Sequence, residues 1–412
     1  MNKLSLLASI FFVFSSACGS SGNSGGGGAA AGSGGSGATG ATGGTGGGTA
    51  AAPGWQLGSD GTAAAVTYVE MWEPPIAKVA TDLDFNPVRP GELWVTLREF
   101  YDGSPCTSTV KQGCTALEGS VLIVSDASGA APVGVIKKDV NAWHFMRRPS
   151  SIAFGPNDTF ATCHDARTGN FEDSPIDYTG PTWWSSDPNI FGKTHPVPPG
   201  ETFTPNGAHL DMLHGTPFCM GLAHEKDGIY WCLNGQIGAL DRYNFNQPHP
   251  PGGEDHSDGE LYRHLEGSFA RVENVPSHMD LDKTTGLLYV ADAGNKRVAV
   301  VDTNTGTVNG TIIVQDNFGV KNRVDGTVIN DFVPVGTLET PSGIAVGDGL
   351  VFVSDHTTSR IHAFDMTGQL VKTLETGMPP GTLSGIALGP EDKKIYFVDM
   401  LTSRVRRIDP LQ

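Results

Sequence analysis

Pro341-Ser342-Gly343-Ile344-Ala345-Val346 leads through a short turn to Val351-Phe352-Val353-Ser354-Asp355. The same order of residue types occurs at Pro276-Ser277-His278-Met279-Asp280-Leu281 with Leu288-Tyr289-Val290-Ala291-Asp292, and again from Leu383 to Leu388 with Ile395-Tyr396-Phe397-Val398-Asp399. Each copy has a small or polar start, a short apolar strand, a turn, and a second β-branched and aromatic strand ending at Asp. Such recurrence is the signature of a repeat architecture, in which one unit cannot bury its apolar face alone.

Three weaker copies precede these. They are Ala80-Thr81-Asp82-Leu83-Asp84-Phe85 with Leu93-Trp94-Val95-Thr96, Pro149-Ser150-Ser151-Ile152-Ala153-Phe154 with Phe160 to Asp165, and Pro217-Phe218-Cys219-Met220-Gly221-Leu222 with Ile229 to Asn234. A third strand follows in Arg297 to Asp302, Arg360 to Asp365 and Arg404 to Asp409, and a fourth in Gln369 to Leu374. Copies therefore begin at 80, 149, 217, 276, 341 and 383, and the shortest interval matches the roughly 40 to 45 residues of a bare four-stranded blade. The expected fold is all-β: a six-bladed β-propeller with four-stranded blades and insertions wherever the interval is longer. After Leu383 only three strands fit before Gln412, so the last blade lacks one. The β-prone segment Ala63 to Trp72 is expected to supply it and close the ring, which removes an open sheet edge.

The runs P-S-G-I-A-V, L-Y-V-A-D-A-G-N-K-R-V and V-F-V-S-D-H-T-T-S-R-I-H-A-F resemble NHL repeats, over about residues 75 to 410. The resemblance implies a TolB-like six-bladed propeller. It implies no chemistry, because this architecture hosts enzymes and binding modules alike.

The chain before the propeller reads as an export device. Lys3, the apolar run Leu4 to Phe14 and the small residues Ser15-Ser16-Ala17 precede Cys18, and the run is too short to span a bilayer. Small residues before a cysteine resemble the lipobox of bacterial lipoproteins, which implies lipidation of Cys18, although Ser15 replaces the usual aliphatic residue. Residues 19 to 54 are almost all Gly, Ser, Ala and Thr, a composition with nothing to bury and an expected tether with a reach on the order of 30 Å. The division expected is 1–18 leader, 19–54 linker and 55–412 propeller, in a protein lipid-anchored in the bacterial envelope or secreted.

Lys+Arg 27 against Asp+Glu 44 gives a formal charge of −17, which disfavours nucleic acid and anionic lipid and leaves the anchor at Cys18 as the expected membrane contact. A monomer is expected. Of the cysteines in the propeller, Cys106 and Cys114 flank one short polar loop and are expected to pair. Cys219 and Cys232 lie on adjacent strands and are expected to pair as well, leaving Cys163 free, with Cys163 to Cys219 as the open alternative.

Propeller ligands meet the face reached by the loops that lead into each innermost strand. The six copies offer Asp82, Ser151, Cys219, His278, Gly343 and Gly385 there, and His164, His214 and His356 with Asp355 are expected on the same face. Neutral imidazoles converging beside a carboxylate suit Zn²⁺ or a copper ion, and Arg148 would stabilise an anion at the rim. The competing reading is of separate histidines bonded to backbone and water. On the opposite face, His224 and the loop carrying His249, Asp255, His256 and Asp258 form a second candidate, for Ca²⁺ or a transition metal. Two insertions are expected to cover the mouth: Ala166 to Thr204, with Trp183 and Trp184 exposed for stacking or for pinning the loop, and Gln315 to Glu339, leading into blade five.

These features are compatible with a tethered binding module for a protein, peptide or glycan. They are also compatible with a metal-dependent lyase or hydrolase, by resemblance to the propellers of the peptidyl-hydroxyglycine amidating lyase and the gluconolactonases. The residue patterns of those enzymes are not kept: Lys296 and Ser359 stand where the lyase's metal histidines belong, and Ala80-Thr81-Asp82 replaces the gluconolactonase E-G-P.

Overall fold

A computed structural model describes residues 66–72, 79–98, 118–172, 174–197, 199 and 205–410. The leader, the linker, Cys18, Cys106 and Cys114 lie outside them.

The described strands form six sheets, five of four strands and one of six, arranged as a six-bladed propeller. Blade one is Val79–Phe85, Leu93–Arg98, Ser120–Ser125 and Val133–Lys137, in antiparallel order from the axis outward. Blade five, Pro341–Gly347, Leu350–Asp355, Arg360–Asp365 and Leu370–Glu375, has the same plan with shorter connections. Blade six is Leu383–Leu388, Ile395–Asp399 and Arg404–Pro410, and its outer strand is Val66–Trp72. That strand runs antiparallel to the C-terminal one, with Tyr68 opposite Ile408 and Glu70 opposite Arg406. The expected closure is therefore present.

The alternation of the strands decides where the core sits. Each blade buries one side chain set against the blade before it and the other against the blade after it, so the core is six apolar clusters, one in every interface between consecutive blades. Between blades one and two, for example, Trp94 packs edge-on against Phe154 and Phe160 at ring separations of 5.4 and 5.0 Å. Both faces of every blade are covered, which is why the strands read as nearly continuous apolar runs.

The Pro-Ser start of the repeat is an interblade clasp. Thr81 Oγ1 donates to the Pro149 carbonyl (2.9 Å), Ser150 Oγ to Cys219 (2.5 Å), Ser342 Oγ to Pro276 (2.9 Å) and Ser384 Oγ to Thr81 (2.7 Å). Each hydroxyl satisfies a buried carbonyl of a neighbouring blade that no ladder reaches.

Four expectations are corrected. Blade three begins at Cys219, two residues later than expected: Cys219 pairs with Asn234 and Leu222 with Cys232, as Pro341 pairs with Asp355 and Ile344 with Val353. Its mouth residue is thus Gly221, where a Cβ would lie 2.0 Å from the Ser277 carbonyl oxygen. Secondly, the disulfide joins Cys163 to Cys219, with Cα atoms 5.5 Å apart, and Cys232 is a buried free thiol. Cys219 starts the innermost strand of blade three and faces blade two, which takes it away from its hairpin partner. Thirdly, Thr182–Ser185 is the third strand of blade two, and Trp183 and Trp184 are buried in its two interfaces. Finally, the segment 315–339 does not lead into blade five as one loop. It holds Val328–Val333, the fourth strand of blade four, and Val320–Asp325, which with Thr307–Thr311 crosses over and lies parallel to Glu260–His264 at the edge of blade three.

Candidate functional site

The innermost strands enclose an axial cavity of about 340 Å³. At the position that faces it, four blades place Ala153, Ala223, Ala345 and Ala387, and the other two place Asp84 and Asp280. These carboxylates hold the ring together: Asp84 accepts from the backbone N–H of Phe154 (2.9 Å), and Asp280 from that of Val346 (2.7 Å), each on the next blade. Burial raises both acids, Asp84 to about 7 and Asp280 to about 6.

The mouth end of the cavity is plugged. Asp82 accepts from Ser151 Oγ (2.7 Å) and from the backbone N–H of Ile152 (3.0 Å). His278 reaches across the axis from blade four, with Nε2 donating to the Ser150 carbonyl at 2.9 Å and Nδ1 3.6 Å from Asp82 Oδ1. It is buried and committed to a bridge between blades. At the far end, Lys283 Nζ donates to His224 Nδ1 (2.8 Å), and His224 Nε2 donates to the Asp227 carbonyl (3.1 Å).

The expected mouth histidines do not assemble with His278. Among the described residues, none of His164, His214, His278 and His356 belongs to a group of three side chains whose ligand atoms come together. His356 Nδ1 donates to the Leu383 carbonyl (2.8 Å). His214 Nδ1 lies 3.3 Å from Asp316 Oδ2, and although burial opposes it, the His214 contact brings the Asp316 carboxyl down to about 2. His164 is fully buried inside blade two, and that burial pushes it down to about 3.

What the mouth does assemble is cationic. Asp165, just past the second strand of blade two, faces three guanidinium groups: Arg98 at 3.2 Å, Arg148 at 3.6 Å and Arg271 at 3.7 Å. Asn274 completes the group, its carbonyl accepting from Arg98 Nη1 (3.3 Å) and its Oδ1 from Arg148 Nη2 (2.6 Å). The backbone sets this geometry, because Arg148 and Asn274 both hold left-handed φ values, 50° and 65°, that turn the connections inward. Among the described residues, Asp165 is the carboxylate paired with all three cations. Arg98 is 5% exposed and its Nε has no hydrogen-bond partner among the described residues; burial lowers it to about 10 even with Asp165 beside it. Arg148 was legible in the sequence as a rim cation, whereas Arg98 and Arg271 were hidden in a strand end and a long connection.

The second expected site divides. His224 lies near the end of the innermost strand Cys219–Lys226 and lines the axial cavity, whereas His249 and His256 lie in the outer loop of blade three. Asp255 accepts from the N–H and Oγ of Ser257 (3.1 and 2.6 Å), and Asp258 from the N–H of Gln247 (3.0 Å), so both serve turns. His249 and His256 come together with His209, the first residue of the outer strand His209–Met212 of blade two, which sequence reasoning missed. Burial lowers all three histidines, His209 well below its usual value and His256 to about 4.

The architecture defines the class: this is a six-bladed β-propeller. No family profile matches the chain, and no curated protein matches it. Among solved structures, it is similar to an auxiliary nutrient binding protein from Bacteroides ovatus ATCC 8483, with TM-score 0.51 and 11% identity over 84% of this chain and 77% of the other. A second auxiliary nutrient binding protein, from Bacteroides thetaiotaomicron VPI-5482, aligns at TM-score 0.48 and 10% identity over 80% of this chain and 69% of its own. A streptogramin B lyase aligns at 0.44 and 11% identity over 84% of this chain and 98% of its own.

Proposed function

We propose that this chain is an exported binding propeller of NHL type, held at the bacterial surface or in the periplasm by its linker and a lipid at Cys18, and that it recognises a carboxylate-bearing glycan or peptide at its mouth. The observation that carries this reading is the gathering of Arg98, Arg148 and Arg271 around the carboxylate of Asp165. In a chain of net charge −17, this gathering of cations among the described residues favours an anionic partner. Arg148 and Arg271 are partly exposed and present the planar fork that suits a carboxylate, while Arg98 and Asn274 fix their background. The fold shared with a protein described as nutrient binding supports a binding role, and the leader supports export.

The test is calorimetric titration with oligogalacturonate, with oligoglutamate and with a neutral oligosaccharide of equal length. One of the two anionic probes is expected to bind and the neutral one to be ignored. Each charge-assisted contact contributes about 1.5 to 3 kcal/mol, so Arg148→Ala and Arg271→Ala should each weaken binding by about tenfold or more. Equal binding of the neutral probe, or no effect of either substitution, would overturn the proposal.

A further inference from the structure

His209, His249 and His256 carry the features of a metal centre. Their candidate ligand atoms all lie within 4.8 Å of one another, and no other group of three among the described residues does this. The Nε2 atoms of all three are buried and have no hydrogen-bond partner among the described residues. For two of them the ring orientation is set from the other side: His209 Nδ1 donates to the Asn206 carbonyl at 3.0 Å, and His249 Nδ1 to that of Pro250 at 2.7 Å. A hydrogen placed on Nδ1 leaves the lone pair on Nε2, which is the arrangement a ligating imidazole adopts. Three ring nitrogens buried without a partner among the described residues, on rings whose candidate ligand atoms gather this closely, are costly in any other role.

The rings are held before any ion arrives. Backbone hydrogen bonds sew the outer loop of blade three to the outer strand of blade two: the N–H of Gly252 donates to His209 (2.8 Å), that of His249 to Leu210 (3.1 Å) and that of Asn206 to Gly252 (2.9 Å). Phe145 stacks on the His209 ring with centroids 3.7 Å apart, and the His249 and His256 rings lie 5.3 Å apart and nearly parallel.

We propose that His209, His249 and His256 bind one first-row transition metal ion, Zn²⁺ or Cu²⁺, through their Nε2 atoms, between blades two and three and apart from the mouth. Three neutral nitrogen donors select these ions over Ca²⁺, which takes six to eight oxygens. Three protein ligands leave a position open for water or a further ligand, as in sites that do more than staple a fold. The expectation of a metal near His249 and His256 is kept, but Asp255 and Asp258 leave the ligand set and His209 joins it.

The experiment uses the exported chain, stripped with chelator and titrated with Zn²⁺ and with Cu²⁺, with bound metal counted by mass spectrometry. One equivalent is expected. His256→Gln and His249→Gln should each reduce affinity by more than about 100-fold, beyond the range seen when only an outer partner of a metal site is removed. His362→Gln, in blade five, should leave it unchanged. His256 is the least buried of the three, so its variant is expected to keep the chelated protein's melting temperature. Failure to bind either ion, or undiminished binding by His256→Gln, would overturn the proposal. Because the mouth arginines are not involved, binding of anionic probes by the same variants should persist, which separates failure here from failure of the mouth reading.

Discussion

Blades five and six and blades two and three solve the same packing problem with different means. In the first pair the repeat is nearly bare: connections are short, the mouth positions are Gly343 and Gly385, and Ser342 and Ser384 clasp blades four and one by the same hydroxyl to carbonyl hydrogen bond that Ser150 makes from blade two to blade three. In the second pair the connections are long, a disulfide between Cys163 and Cys219 joins the blades, and a hairpin from blade four extends the sheet of blade three. The candidate chemistry follows the same division. Asp165, Arg148, His209, His249 and His256 belong to blades two and three, and Arg98, Arg271 and Asn274 border them. The regular part maintains the ring, and the irregular part presents side chains on it.

The largest effect is expected at the ring's closure. If blades five and six rely on the repeat alone, they need the strand Val66–Trp72 to cover the edge of Arg404–Pro410. A chain shortened to begin after residue 72 exposes that ladder and is expected to lose its cooperative unfolding transition and to aggregate. Urea unfolding followed by circular dichroism would decide it, since a transition like that of the intact chain would mean that the ring closes without the strand. Next in size is the staple of the irregular part. Replacing Cys163 and Cys219 together by Ala removes a crosslink spanning 56 residues and should cost about 2 to 4 kcal/mol under oxidising conditions. The intact protein measured in reductant should lose at least as much; if neither change matters, blades two and three are held by packing alone.

The fold was legible because the repeat keeps one order of residue types, from a small or polar start through two apolar strands to a closing Asp, and the missing last strand followed from counting. Three features were hidden for identifiable reasons. Pro217 mimics the start of a copy, but Phe218 takes a left-handed φ of 52°, and the strand begins only at Cys219. Trp183 and Trp184 sit among Gly, Pro and Ser, so a short buried strand looked like a polar insertion. The strand Val320–Asp325 has ordinary alternation, and nothing in periodicity names the blade it joins. The sites were less legible still. His209 lies far in sequence from His249 and His256, and only the pairing of a loop with a neighbouring blade brings it to them. Conversely, His278, the exception to the glycine pattern, turned out to bridge blades one, two and four rather than to face solvent.

The smallest effect concerns the axis, where blades five and six place Ala345 and Ala387 and blade one places Asp84. Burial raises the folded-state value of Asp84 to about 7, with Asp82 and Asp280 adding to the shift, against 3.8 as the ordinary value. Between those two values the folded protein binds more protons at this site than the unfolded chain, so its stability contribution is present in full below about pH 4 and declines as pH rises toward 7. Above that the contribution is constant. Asp84→Asn removes this dependence while keeping an acceptor for the N–H of Phe154. The variant's stability relative to the natural protein should therefore rise between pH 4 and 7 by about 1 to 2 kcal/mol, less than full linkage because Asp84 is partly exposed to the cavity. Urea midpoints taken across that range for both proteins measure the difference directly. Parallel profiles would mean that the Asp84 carboxylate is as well accommodated at the axis as it is in water, and that the alanines of blades five and six and the aspartate of blade one are electrostatically equivalent.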